Sequence, residues 1–222
     1  MTIYNTILYN YIMKQGKDRL LNSDEINRVL ISERVKKKYI SLGYSIEEIV
    51  DSKLKIFIIS FLISVCSIGI SIYLYINNNE INYDQLLKPK YIIILIVSIL
   101  VLSILHSLIK YLFYGLICKE HFESAELYFD NNIIPHSTFL QELNKLEYII
   151  SLLLPIIILG IIPIYVTIKL NMLFVFIISL FGLILCSYDL YLLVKAVFTG
   201  NKYTTFLNHP TEYGLIIMKK NM

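Results

Sequence analysis

The sequence predicts an all-α polytopic membrane protein, with four transmembrane helices, a small helical segment ahead of them and both termini in the cytoplasm. Three observations predict it. Of 222 residues, 56% are apolar and only 17% charged, against about a quarter charged in ordinary soluble domains, and the mean hydropathy is +0.64. The apolar residues gather in four blocks, each long enough to cross a hydrocarbon layer of about 30 Å, which takes about 20 helical residues. Lysine and arginine are lopsided: ten of the twenty lie in residues 1–55, and Lys119, Lys145, Lys202, Lys219 and Lys220 fall on the same side, against Lys88, Lys90 and Lys169 on the other. The positive-inside rule then places both termini in the cytoplasm.

Residues 1–53 form the cytoplasmic helical segment. Asn22 and Glu25 make an N-cap and N3 pair, and Ile26, Val29, Leu30 and Ile40 follow at helical spacing. Gly43 ends that helix. Ser45 and Glu48 repeat the capping pattern, which predicts a short helix from Ile46 to Asp51. Positive and negative charges are mixed along this segment, so it lacks the basic face of a nucleic-acid reader and no nucleic-acid partner is expected. It reads as a small cap or an amphipathic segment on the bilayer.

Residues 54–198 form the membrane domain, with spans at about 56–76, 91–117, 148–168 and 173–198. The first carries small polar residues, Ser60, Ser64, Ser67, Gly69 and Ser71, which suit close helix packing. Tyr73 and Tyr75 mark its interface. An acidic loop, 118–147, is interrupted by Asn131, Asn132 and Pro135. The third span contains Pro155, Gly160 and Pro163, so a kink is expected. A tight turn at 169–172 leads into the fourth. Residues 199–222 are a polar cytoplasmic tail. Cys66, Cys118 and Cys186 show no metal-knuckle or disulfide spacing and read as core thiols.

Ionisable groups inside the spans are few: His106, Lys110, Asp189 and Lys195. Such groups are costly in lipid and face a partner or a cavity. Lys195 is near enough to an end to snorkel. His106 and Lys110 are i and i+4 on one helix, so they share a face. Counted back from the helix ends, Asp189 lies at a depth similar to His106. His106, Lys110 and Asp189 are therefore expected to form one polar intramembrane cluster. His121, His136 and His209 fall in loops and read as solvated or structural.

The stretch His106-Ser107-Leu108-Ile109-Lys110 has the spacing of H-E-x-x-H with only its first histidine kept. In that signature two histidines grip zinc and the glutamate is the general base. Together with Tyr148–Pro155, Gly160–Pro163, Tyr188-Asp189-Leu190, Asn208-His209-Pro210 and Gly214–Ile217, it makes the chain resemble a bacterial family of multi-pass membrane proteins, the "putative zincin peptidases", similar in layout to site-2 proteases. The resemblance covers roughly 56–218. In family members the tail usually reads Asp-His-Pro, where this chain has Asn208. The resemblance implies a zinc site built from two histidines of span two and the aspartate of span four. By position, His106 matches the first ligand and Asp189 the third. Lys110 stands at the second ligand, and Ser107 at the catalytic glutamate.

Two ligands and no base do not make a hydrolytic zinc centre. The expectation is a degenerate relative with no catalytic residues and no cofactor, in which the Lys110 ammonium replaces the metal's charge and pairs with Asp189. It would act in the cell membrane by binding or regulating a membrane-embedded peptide or protein, as a regulator or an immunity factor. Two alternatives stand beside it. One is an active intramembrane zinc metalloprotease using His106 and Asp189. The other is a small transporter or channel with His106, Lys110 and Asp189 as its polar path. The sequence leaves the oligomeric state open.

Overall fold

Helix α1 (Ser23–Ser41) carries Asp24 and Glu25 in its first turn, where carboxylates suit the helix dipole. Gly43 ends it at φ +80°, in the left-handed region that a side chain disfavours. The computed structural model describes residues 23–80, 89–129, 135–199, 201, 203–212 and 214–220, so the expected cap Asn22 lies outside the described residues.

The expected helix at 46–51 is instead a strand, β1 (Tyr44–Val50). Its local capping pattern loses to long-range pairing: all seven residues pair antiparallel with β6 (Gly214–Lys220). The polar tail folds back as β5 (Thr205–Asn208) and β6, and the sheet runs β1-β6-β5-β4, with β4 at Leu143–Asn144. Leu215, Ile216, Ile217 and Met218 are buried in it. A second pair of strands, β2 (Ala125–Phe129) and β3 (Pro135–Phe139), forms a hairpin within the expected acidic loop. The fold is therefore mostly helical with a small antiparallel sheet, and the all-α expectation is corrected.

Among the described residues, three helices are long and apolar enough to cross a membrane: α2 (Lys53–Asn78), α3 (Pro89–Ile117) and the continuous stretch Lys145–Leu170. A fourth is counted if α6 (Leu173–Leu185) and α7 (Ser187–Phe198), bent by 47° at Cys186, form one span. These helices are compatible with a membrane protein. The faces of α2 and α3 are mostly exposed apolar side chains, as lipid contact requires. Cys66 is on such a face, so only Cys118 and Cys186 are the buried thiols expected of all three.

The third span consists of α4 (Lys145–Pro155), a π-helical turn (Ile156–Ile161) and α5 (Ile162–Leu170). Asn144 and Glu147 cap α4 reciprocally. Proline at 155 and 163 removes backbone donors. The wider turn between them seats against α6, where the Gly182 Cα lies close to the Leu159 carbonyl; a β-carbon there would meet that oxygen at 2.1 Å. Asn171 closes the following turn in the left-handed conformation and accepts a hydrogen bond from the buried Tyr75 hydroxyl.

The main core sits where the helices meet the sheet. Tyr114, Phe139, Tyr148 and Phe206 pack there ring to ring. Below it, the hairpin runs beside α3: Phe139 touches Tyr114, and the Pro135 carbonyl accepts from Ser107. Ser107 is ten residues before the end of α3, a rise of about 15 Å. The hairpin thus reaches well down the helix rather than capping its end.

Candidate functional site

Asp189 is the centre of the site. The break at Cys186 starts a new helix, and Asp189 falls in its first turn, where the dipole favours a carboxylate. It is buried, at 2% exposure. The Lys110 ammonium donates to Oδ1 at 2.8 Å, and His106 Nε2 lies 2.7 Å from Oδ2. An ionised carboxylate only accepts, so the imidazole carries its hydrogen on Nε2. His106 and Lys110 are one turn apart on α3, which lets each take one oxygen of the same carboxylate. All three expected residues are brought together.

Ser107 points elsewhere. It is buried, and its hydroxyl donates to the Pro135 carbonyl, tying α3 to the hairpin. Where the signature has a general base, this chain has a structural tie. Lys195 does not simply reach for solvent. It pairs with the buried Asp51 at 2.8 Å, alongside Lys55 at 2.7 Å and the Tyr191 hydroxyl at 3.1 Å.

A cavity of about 450 Å³ opens beside Asp189. One wall is α3, with Ser103, His106, Ser107 and Lys110, and another is α7. The hairpin contributes Tyr128 and His136, and the turn between β5 and β6 contributes His209 and Glu212. His136 and His209, expected to be solvated or structural, therefore face the same space as His106. Their sequence distance, and the strands that close it, hid this. His209 is also oriented: its Nδ1 accepts the Glu212 backbone amide at 3.0 Å. In the neutral ring the proton is then on Nε2. Asn208 donates to the Thr138 hydroxyl at 3.0 Å and joins the turn to the hairpin.

Zinc, which the resemblance implies, can be tested against these donors. Both Asp189 oxygens are engaged, and an ammonium stands one turn from His106 where a second imidazole would bind. Among the described residues no three His, Cys, Asp or Glu side chains gather to hold a metal ion. A hydrolytic zinc centre takes three protein ligands and an open position, so this donor set does not fit one.

Residues 99–203, just under half of the chain, match the family model described as "Putative zincin peptidase". No curated protein and no solved structure matches the chain. The matched residues run from the middle of α3 through the hairpin, the third span and Asp189. That match supports a likeness of this segment to the "Putative zincin peptidase" family, a metalloprotease-like family.

Proposed function

We propose that this protein is a membrane-embedded relative of the metalloproteases that has lost hydrolysis, and that it binds a membrane peptide or protein in the cavity beside Asp189. One observation carries the reading: the Lys110 ammonium lies 2.8 Å from Asp189, in the place of the second metal ligand. A fixed cation there supplies the charge that a metal ion would supply to the aspartate. It repels a divalent cation, and it opens no coordination site for water. Ser107 completes the loss, since a hydroxyl held by a backbone carbonyl is no general base for water.

What remains is a cavity suited to binding. The Lys110–Asp189–His106 cluster is neutralised internally, so it holds α3 against α7 without a metal. The hairpin and the β5–β6 turn add imidazole and hydroxyl groups, which give and take hydrogen bonds from a polypeptide. Irregular backbone at the depth of Ser107 is tolerated in lipid only where it is packed in protein or lines a cavity. In this reading, which the lysine distribution supports, the sheet, the hairpin and both termini lie on the cytoplasmic side. The cavity then opens towards the cytoplasm and receives the juxtamembrane part of a partner.

Proteoliposomes carrying the purified chain and a labelled model transmembrane peptide, with zinc supplied, test this. The expected result is an intact peptide that crosslinks to a photoreactive group at position 137 in the cavity wall. Cleavage products that vanish with His106→Ala would overturn the reading.

A further inference from the structure

Arg28 lies on α1, outside the segment that matches the family. It is buried, at 8% exposure, although arginine is seldom buried without a task. Its guanidinium holds two separate pieces of chain at once. Nη1 donates to Glu126 Oε2 at 3.1 Å, and the cation lies 4.2 Å from the centre of the Tyr128 ring; both residues are on β2. Nε donates to the Pro210 carbonyl at 3.2 Å, in the turn between β5 and β6.

These are the two walls that close the cavity away from the helices. Tyr128 and its ring neighbour His136 line it from the hairpin, and His209 and Glu212 from the turn. Pro210 directly follows His209, so the bond to its carbonyl fixes the residue that carries that imidazole. A planar fork with a face for stacking can serve both walls, and a lysine ammonium cannot reproduce that geometry. Two other charged ties of α1 go elsewhere: Lys36 to Glu48 of β1, and Lys38 to Glu142.

We propose that Arg28 is a positioning residue of the cavity, which beside the Asn208–Thr138 hydrogen bond sets the separation of the hairpin wall from the turn wall and hence the size and shape of what the cavity admits. This rests on the reading of the cavity as the working site. It does not depend on whether the protein binds zinc.

The test is thiol labelling of Ser137→Cys, a half-buried position on the cavity wall. It is done on the full chain in detergent, with exposed Cys66 replaced by alanine and a polar maleimide as probe. Arg28→Lys is expected to raise the labelling rate about tenfold, the scale of one lost charged hydrogen bond. Glu126→Gln should raise it in the same direction but less, and the double variant should match Arg28→Lys, because the Glu126 contact is one of those that Arg28 makes. Lys38→Gln removes a tie of the same helix away from the cavity and should leave the rate unchanged. Equal rates for Arg28→Lys and the parent would overturn the proposal. So would an equal rise with Lys38→Gln, which would mean that α1 matters only to general stability. Cleavage of a peptide by the parent chain would instead strike the functional reading and leave this result standing.

Discussion

Lys110 is the residue on which the site turns. With Asp189 buried, removing the ammonium leaves a carboxylate with only His106 as its side-chain partner among the described residues. Breaking a buried ion pair from one side costs about 3–5 kcal/mol. Lys110→Met should therefore lower the thermal midpoint in detergent sharply, while Lys110→Met with Asp189→Leu recovers much of the loss. A single variant as stable as the parent would show that the pair holds nothing together. The cluster was legible because ionisable residues in apolar runs are conspicuous and helical spacing brought two of them to one face. His136, His209 and Arg28 were not legible. Each is a polar residue in a polar segment, and only strand pairing and the return of the tail bring them to the cavity.

At the scale of elements, the third and fourth spans show what hydropathy can and cannot read. Pro155 and Pro163 announced an irregular helix, and a π-helical turn lies between them. No proline marks the break at Cys186, which sets the direction of α7 and puts Asp189 at a helix start. Gly182, one turn before it, fits against the Leu159 carbonyl with no room for a β-carbon. Gly182→Ala should destabilise the protein by about 1–3 kcal/mol, as overpacked sites do. Thermal unfolding measures it, and an unchanged midpoint would contradict the close approach. The strands were missed for a different reason. Ser45 and Glu48 satisfy a helix-capping rule locally, yet β1 pairs with β6 from the far end of the chain. A seven-residue ladder outweighs one cap.

Across the whole molecule, buried carboxylates join the parts. Asp189 links α3 to α7. Asp51, at the junction of β1 and α2, links the sheet to α7 through Lys195 and Tyr191. Burial pushes the Asp51 carboxyl up, but the hydrogen bonds from Lys195 and Lys55 outweigh it and hold the group below the usual carboxylate range. A lowered folded-state value stabilises the protein above the unfolded pKa of about 4, and the gain is lost as pH falls through the folded value. Asp51→Asn should thus be less stable than the parent at neutral pH, with the gap closing below about pH 4. Unfolding midpoints of both across pH check this, and a gap that stays constant with pH would contradict it. The order of apolar blocks made the helical part readable from composition alone. The sheet and the cavity walls depend on contacts between residues far apart in sequence, which no local pattern records.

Metal analysis of the purified chain beside Lys110→His tests most directly whether Lys110 stands in the place of a metal ion. The native chain is expected to carry no stoichiometric zinc, and the histidine variant, which offers a third ligand to His106 and Asp189, is expected to take up about one ion per chain. A native chain that holds one zinc, and loses it with His106→Ala or Asp189→Ala, would contradict the claim that Lys110 stands where the metal would be.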